Sequence, residues 1–441
     1  MLRRCWNNCI FWAPERSSEE EPRKTVQMQA RSFAPGERGL KLAATGVIAV
    51  SLGLLILAGG IWANYSLFAV RFPGGNDFLS RWVGAHAWFT QGVDPYSEQV
   101  SVEGQRMIYG REANDQGEDK AHFAYPLYSM LLFAPTAFFP FPMARAMWMA
   151  ILELCLMGLA AAGFRLAGWK PPAWMLGLTM LYSLAWYHGL RTIVNCQTAG
   201  VVALLMVLAL LAIETRRDAW AGIFLALSTS KPQMAFVLIP LVLLWALTVR
   251  RWRLIGWTVG VMAVLVGASL ALIPDWPFKM AAQIQSYTTY TDIGSPVNII
   301  TTRYLPGLGA VGEMLIFGAL VAYLLWGWWR ASGREGRAFQ WAAALTIVVT
   351  NLIAFRTATT NYVVMLPAAL LVFRLWQERW GRRGLLAALG AMLVYFVGEW
   401  WLFLATLQNN IEQPPTYLPL PFLLLLGLWL ARGDALRDLR G

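Results

Sequence analysis

The chain repeatedly reaches runs of about 20 mostly apolar residues, and this feature limits its fold more than any other. A helix of that length crosses the ~30 Å hydrocarbon core of a bilayer. Only 14% of the 441 residues are charged, whereas soluble domains carry about 25%. We therefore predict an all-α polytopic membrane protein with about 12 transmembrane helices, near 43–66, 143–164, 173–189, 194–213, 218–230, 233–249, 254–273, 308–329, 338–354, 362–373, 384–407 and 418–431.

The basic residues predict how these spans are oriented, because cytoplasmic loops carry an excess of Lys and Arg. With the N-terminus in the cytoplasm, 25 of the 36 Lys and Arg residues fall in the tails and short loops on the cytoplasmic side. The proline-rich segment 124–142 is ambiguous. Counting it as a span would invert every later loop and place the basic "VRRWR" outside. We therefore expect it to lie at the outer interface or to be re-entrant.

This topology divides the chain into regions with different roles. Residues 1–41 form a cytoplasmic tail that we expect to be disordered, residues 42–432 form the transmembrane domain, and 433–441 form a second cytoplasmic tail. The large first extracytoplasmic loop, 67–142, contains the predicted interfacial helices, and 274–307 form a second long loop. We expect the protein in the plasma (inner) membrane, with its active site on the extracytoplasmic side.

The stretch "FPGGNDFLSRWVGAHAWFTQGVDPY", residues 72–96, raises the question of what a carboxylate does in an apolar chain. Pro-Gly-Gly-Asn interrupts the chain, so Asp77 begins a helix that ends at Gly92. An apolar stripe on this helix predicts that it lies on the bilayer surface: Phe78, Trp82, Ala85 and Phe89. Asp77 could be a helix N-cap, with Arg81 as its i,i+4 partner, or a functional carboxylate that the helix dipole favours.

Three predicted outer turns carry cations and amides. "STSKPQ" breaks an apolar run at Lys231, which either meets an anion or extends to the lipid headgroups. "RTIVNCQ" supplies Arg191 and Gln197, and "FRTATTNYVVMLP" supplies Arg356 and Tyr362. A carboxylate with several separated cations suits transfer from a phosphate-linked donor, which needs a base and positive charge on the leaving phosphate.

Other chemistries find little support in the residues. The four cysteines form no disulfide framework, and the three histidines have no metal-ligand spacing. We therefore expect no metal and no cofactor, and no nucleic-acid partner. No Gly-rich phosphate loop or ATP-binding signature occurs. Glu153 and Glu399 lie within apolar segments, where each either hydrogen-bonds a neighbouring helix or belongs to a proton pathway.

Several motifs together resemble glycosyltransferase family 87. "NDFLSRWVGAHAWFTQGVDPY" is similar to the family's Asp-Phe … Gly-x-Asp-Pro-Tyr pattern in the first outer loop. "FAYPLYSMLLFAPTAFF", which contains Tyr125, is similar to its Tyr-Pro-Pro segment, with Leu127 for the second Pro. "NCQTAG … STSKPQ" is similar to its Gly-Gln … Lys-Pro segment, with Cys196 where Gly is usual. The resemblance runs through about residues 43 to 250 and then becomes diffuse.

The resemblance implies a membrane glycosyltransferase of the GT-C class, similar to the polyprenol-phosphate-mannose-dependent mannosyltransferases. It implies an inverting, metal-independent reaction with a polyprenyl-phosphate sugar as donor and a glycolipid or glycan of the cell envelope as acceptor. Asp77 would be the general base. The candidates for donor phosphate binding are Lys231, Arg191 and Arg356, and those for substrate binding are Gln197, Tyr362 and Tyr125.

Two alternatives stay open from the residues alone. A twelve-span secondary transporter of a lipid or anionic solute would show matching broken helices in two halves, but only the break at Lys231-Pro232 is marked. A non-catalytic lipid-binding or scaffold subunit would place no demand on Asp77 or Lys231. The long first loop favours an enzyme over both. With the resemblance, the leading hypothesis is an enzyme that transfers a sugar such as mannose or a pentose.

Overall fold

The computed structural model describes residues 51–72, 74–114, 117–287, 294–354, 359–408 and 412–437. The chain divides into two compact units, Met1–Ile56 and Leu57–Gly441. In the first unit, the described residues 51–56 are helical. The tail 1–41, expected to be disordered, lies outside the described residues. The arrangement below concerns the second unit.

The regular elements of the described ranges are helices joined by turns and loops. Those of eight residues or more are α1 Ser51–Ala69, α2 Asn76–His86, α3 Glu98–Tyr109, α4 Leu127–Ala137, α5 Phe141–Ala167, α6 Ala173–Ala185, α7 Tyr187–Val194, α8 Ala199–Glu214, α9 Asp218–Ser228, α10 Leu238–Thr248, α11 Trp252–Leu272, α12 Trp276–Tyr287, α13 Pro306–Ala331, α14 Arg337–Ile353, α15 Thr359–Trp380, α16 Arg382–Thr406 and α17 Pro414–Leu436. Glycines in the left-handed region close several of them, such as Gly168 (φ +62°) after α5, because glycine has no Cβ to clash there.

Seven helices in the described ranges are long and apolar enough to cross a membrane: α1, α5, α11, α13, α15, α16 and α17. Six shorter apolar helices accompany them: α4, α6, α8, α9, α10 and α14. The prediction of an all-α, multi-pass membrane protein is confirmed. Every predicted span overlaps one of these helices, but five of the twelve are shorter than a typical crossing, so the number twelve stays a prediction. Helix α4, within 124–142, is only about 16 Å long at 1.5 Å per residue.

Helix α2 packs into the protein, which corrects the prediction that its apolar stripe faces the bilayer. Phe78 is fully buried and its ring stacks on that of Trp148 of α5, with 5.2 Å between the centroids. Trp82 and Ala85 are buried too, and Phe89 alone in the stripe is exposed. The stripe has the period of a core-facing helix as well as of a surface helix, and α5 supplies the partner that the sequence did not reveal.

The start of α2 also differs from the N-cap interpretation of Asp77. The N-cap is Gly75, with φ +75°, and Asp77 lies one residue inside the first turn, where its side chain makes no capping hydrogen bond. The carboxylate is still next to the positive end of the helix dipole, where negative charge is favoured.

Two acidic residues in the spans contact neighbouring helices. Asn64 Nδ2 of α1 donates to Glu153 Oε1 of α5 over 3.0 Å, and His188 Nε2 of α7 lies 2.7 Å from Glu399 Oε1 of α16. The interpretation of Glu153 as a hydrogen-bond partner of a neighbouring helix is therefore confirmed. Glu399 contacts α7 at His188, but neither of its oxygens has a hydrogen-bond partner among the described residues.

Helix α12 is attached to the first loop, the residues between α1 and α5, by polar side chains. Lys279 Nζ lies 2.8 Å from Asp94 Oδ2, and Gln283 Nε2 donates to the Tyr96 carbonyl over 3.1 Å. The backbone N–H of Ala124 donates to Gln283 Oε1 over 2.9 Å. These contacts bring the end of α12 to the part of the first loop that precedes α4.

Candidate functional site

The two glycines before α2 leave space for the side chain of Arg145. Gly74 and Gly75 both have positive φ, of 132° and 75°. A Cβ atom on Gly75 would lie 3.0 Å from Arg145 Nε, and one on Gly74 would lie 3.3 Å from its Nη2. Arg145, on the first turns of α5, donates from Nη1 to the Phe72 carbonyl over 2.7 Å. The two glycines of the Pro-Gly-Gly-Asn sequence are thus explained, since both φ and space require glycine where the chain passes over Arg145 just before Asp77.

Tyr125 reaches the same region from the segment before α4. Ala121 and Ala124 have φ values of 51° and 47°, a left-handed conformation that costs a non-glycine residue free energy. The hydroxyl of Tyr96 donates to the Tyr125 carbonyl over 2.6 Å, and Gln283 holds the Ala124 amide. The strained segment is therefore fixed by contacts from two parts of the chain, and it directs a buried Tyr125 side chain to the site.

Lys231 follows α9 and is buried, with 2% of its surface exposed. Its Nζ donates to Gln197 Oε1 over 2.7 Å, and Tyr125 is within electrostatic range. The alternative that Lys231 extends to the lipid headgroups is therefore wrong. Burial lowers the pKa of Lys231 from its ordinary value, the charges of Tyr125 and Asp77 oppose this change, and the positive charge of Arg81 adds to it.

Arg81, one turn after Asp77 on α2, is also buried, with 7% exposed. Its Cζ lies 4.5 Å from the centroid of the Tyr125 ring, and its Nη1 donates to Ser80 Oγ over 2.6 Å. Arg81 Nε is buried without a hydrogen-bond partner among the described residues. The expected i,i+4 ion pair with Asp77 does not form, although the carboxylate acts electrostatically on the guanidinium.

Cys196, next to Gln197, has φ +56° and is fully buried. The related motif usually has glycine here, and this backbone conformation explains why. Burial raises the pKa of the Cys196 thiol to about 12, with Arg145 opposing the rise. The thiol is therefore neutral at physiological pH, and thiolate chemistry is excluded.

The structure brings together four of the seven residues that the sequence singled out: Asp77, Tyr125, Gln197 and Lys231. With Arg81 we call these five residues the Asp77 cluster. Sequence reasoning missed Arg81, which was interpreted as an ordinary helix partner, and Arg145. The signal for Arg145 was an arginine at the end of an apolar segment, a costly placement that usually marks a function. Tyr287 was also missed. It ends α12 and is within electrostatic range of Arg81 and Asp77, and burial raises its pKa to about 12.

Two other predicted residues belong to a separate group, which we call the His188 cluster: Tyr187, His188, Arg191, Tyr362, Glu399 and Glu412. Arg191 Nη2 lies 3.6 Å from Glu412 Oε2. Tyr362 is fully buried, with its ring centroid 5.0 Å from that of His188. Burial raises the pKa of Glu412, and the charge of Arg191 opposes this. Arg356 lies outside the described residues.

Helix α7 connects the two clusters, because His188 and Arg191 are on it and Gln197 follows its end. Thr192 Oγ1, on the same helix, donates to the Thr360 carbonyl over 3.0 Å and so ties α7 to α15. At 1.5 Å per residue the helix is about 12 Å long. The His188 cluster is therefore joined to the Asp77 cluster through α7, and its charged members pair as His188 with Glu399 and Arg191 with Glu412.

The Asp77 cluster can do two kinds of chemistry. Asp77 is partly exposed and forms no ion pair with any described residue, so its oxygens are open to accept a proton. Lys231 and Arg81 supply positive charge in a place shielded from water, where an anion would be strongly bound. A base beside a cationic pocket fits group transfer from a donor with an anionic leaving group.

A family model described as glycosyltransferase family 87 matches residues 123–355, more than half of the chain. The match contains Tyr125, Gln197 and Lys231 and begins after Asp77. It also continues beyond residue 250, where the motif resemblance is diffuse. No curated protein and no solved structure matches the chain. The chain, a multi-pass helical membrane protein, therefore belongs to glycosyltransferase family 87.

Proposed function

We propose that this membrane glycosyltransferase moves a sugar from a polyprenyl-phosphate carrier to an acceptor hydroxyl at the extracytoplasmic face, with inversion and with Asp77 as general base. The observation that supports this best is the burial of Lys231 beside Gln197 and Tyr125, within electrostatic range of Asp77. The buried Lys231 ammonium forms no ion pair with a carboxylate among the described residues, so it is suited to bind a phosphate. The nearby Asp77 carboxylate is suited to act as a base.

The reaction moves one proton and one electron pair. Asp77 takes the proton of the acceptor hydroxyl while the hydroxyl oxygen attacks the anomeric carbon from the side opposite the phosphate. The bond between that carbon and the phosphate oxygen breaks, and its electron pair stays on the phosphate. Lys231, oriented by Gln197 and Tyr125, stabilises the charge that develops there. No metal is part of this proposal.

The polyprenyl-phosphate carrier suits the setting of the cluster. Donor phosphate would meet Lys231 between apolar helices, where the hydrocarbon chain of a lipid carrier can remain in the bilayer. The family match favours this enzyme over a secondary transporter. Arg191 stays a candidate for donor phosphate binding and Tyr362 a candidate for substrate binding, both from the His188 cluster. Arg356, which is outside the described residues, stays a predicted donor phosphate residue.

The test is a transfer assay on purified protein in detergent with EDTA present. Radiolabelled polyprenyl-phosphate mannose and pentose are offered with a membrane lipid extract as acceptor. We expect Asp77→Asn to lower the transfer rate about 10²–10⁴-fold, as loss of a general base does. Glu98→Gln is the matched control, because Glu98 is an exposed carboxylate in the first turn of α3 in the same loop.

The control should transfer at the rate of the parent protein. An Asp77→Asn variant that folds and transfers at near-normal rate would refute the role of Asp77. A parent protein that consumes none of the lipid-linked donors but uses a nucleotide sugar would refute the donor class.

A further inference from the structure

Two buried cations lie near Tyr125. The Arg81 guanidinium is over the Tyr125 ring, 4.5 Å from its centroid, and Lys231, which is bonded to Gln197, is within electrostatic range of both Tyr125 and Arg81. Both side chains are more than nine-tenths buried. Two positive charges that water screens poorly therefore lie close to one tyrosine side chain.

Neither cation is neutralised by an ion pair within the described ranges. Arg81 donates to a neutral serine hydroxyl, and its Nε has no partner. Lys231 donates to a neutral amide. Asp77 and Asp119 act on Arg81 through their charges, and neither forms an ion pair with it within the described ranges. Two like charges buried together repel each other and lose their hydration, which is costly unless an anion joins them.

Asp77 alone does not meet this need during the proposed reaction. When it accepts the proton of the acceptor hydroxyl, its negative charge is lost. In the same step the donor phosphate changes from a diester with one negative charge to a monoester with up to two. Negative charge thus moves from Asp77 to the phosphate. A cation within reach of both groups can stabilise this charge before and after the transfer.

We propose that Arg81 is a catalytic residue that binds the leaving phosphate together with Lys231. This proposal rests on the proposed function. Arg81 is four residues after Asp77 and so lies on the same face of α2. Its guanidinium presents several N–H donors in a plane, a geometry that matches two phosphate oxygens at once. The predicted phosphate residue Arg191 is less suited, because Glu412 is its neighbour.

Binding can be measured without turnover in an Asp77→Asn background. Farnesyl phosphate serves as a short-chain analogue of the leaving lipid, and farnesol is the same chain without charge. We expect Arg81→Gln to weaken farnesyl phosphate binding about tenfold or more, the value of a charge-assisted hydrogen bond, and to leave farnesol binding unchanged. Arg106→Gln is the matched control, since Arg106 is an exposed arginine on α3 of the same loop.

The outcomes separate this proposal from the proposed function. If Lys231→Gln weakens farnesyl phosphate binding and Arg81→Gln does not, Arg81 has no phosphate role and the glycosyl transfer mechanism stands. If the parent binds farnesyl phosphate no better than farnesol, the lipid-phosphate donor itself is refuted.

A structural role of Arg81 is distinguished by chemical rescue. With Asp77 intact, Arg81→Ala should transfer slowly, and millimolar guanidinium chloride should restore part of the rate, with sodium chloride as control. Should the Gln variant unfold, Arg81→Lys gives the same readout: it keeps the charge and should bind farnesyl phosphate more tightly than farnesol. Failure of both rescue and Arg81→Lys binding would overturn the proposal.

Discussion

Asp77 owes its position to residues that carry no chemistry of their own. Gly74 and Gly75 let the chain turn closely over Arg145, and Phe78 fixes the next residue of α2 against α5. The sequence predicted a break followed by a helix, because glycine and proline interrupt helices in a known way. It did not reveal Arg145 below the turn, since that contact joins residues 70 positions apart.

Cys196 allows a test of backbone strain. Its φ of +56° costs a residue with a Cβ about 1–2 kcal/mol, which glycine avoids. Both Cys196→Gly and Cys196→Ala lose the Sγ contacts, but only Cys196→Gly loses the strain. We therefore expect Cys196→Gly to be more stable than Cys196→Ala by about 1 kcal/mol and to keep transfer activity, measured by thermal unfolding in detergent and by the transfer assay. Equal stability of the two variants would contradict this explanation.

The role of the Lys231 charge can be tested through the pH dependence of transfer. Burial holds its pKa below the ordinary 10.5, so Lys231 loses its proton earlier than an exposed lysine as the pH rises. We expect kcat/KM for transfer to fall on the alkaline side below pH 10.5. Cys196 and Tyr287 titrate later, near 12. Lys231→Arg keeps its charge at alkaline pH. We expect this variant to transfer more slowly than the parent, but without the alkaline decline in kcat/KM. The same decline in Lys231→Arg would assign it to another group.

At the scale of elements, the sequence predicted helices well and their contacts poorly. Long apolar runs and glycine or proline at their ends predicted the spans, because burial and capping act locally. The predicted environment of the apolar stripe on α2 was wrong, since an apolar helix face is suited equally to a bilayer and to a protein core. The attachment of α12 to the first loop depends on Lys279 and Gln283, and nothing in their neighbourhood indicates partners about 160 to 190 residues earlier.

The attachment of α12 predicts a dependence on pH. His122 Nε2 lies 3.2 Å from Ser286 Oγ of α12, and Nδ1 lies 3.0 Å from Ser101 Oγ. Burial lowers the pKa of His122 from 6.5, with Lys120 and Arg81 also lowering it and Asp119 opposing. The neutral form is therefore the stable one. The contribution of neutral His122 to the stability of the folded protein is complete above pH 6.5. This contribution is lost as the pH falls through the lowered pKa of His122.

The measurement is hydrogen–deuterium exchange of residues 276–287, expressed as protection factors at pH 7.5 and pH 5. Protection should fall at pH 5 in the parent. His122→Gln cannot be protonated, so its protection should differ little between the two pH values. Peptides from α14, a buried helix far along the chain, serve as the internal control. A parent whose α12 is equally protected at both pH values would show that His122 does not hold the helix.

At the scale of the whole molecule, the distribution of arginines predicts which loops face the cytoplasm. A membrane-impermeant maleimide can test this once Cys5 and Cys9 are replaced by serine, because Cys155 and Cys196 are buried. Glu98→Cys, in the first loop, should react in intact cells. Arg217→Cys, in the turn between α8 and α9, should react only after permeabilisation. Both positions are exposed, so labelling in the opposite pattern would invert the topology.

The wide spacing of the Asp77 cluster along the chain has a consequence for biosynthesis. About 150 residues separate Asp77 from Lys231, and synthesis at ~5–20 residues per second places roughly 8–30 s between their emergence. During that interval the first loop is made and α5 to α9 are inserted, while the carboxylate has no Lys231 beside it. A nascent chain interrupted before residue 231 therefore carries the proposed base without the residue that would receive the phosphate, and we expect such a fragment to have no transfer activity.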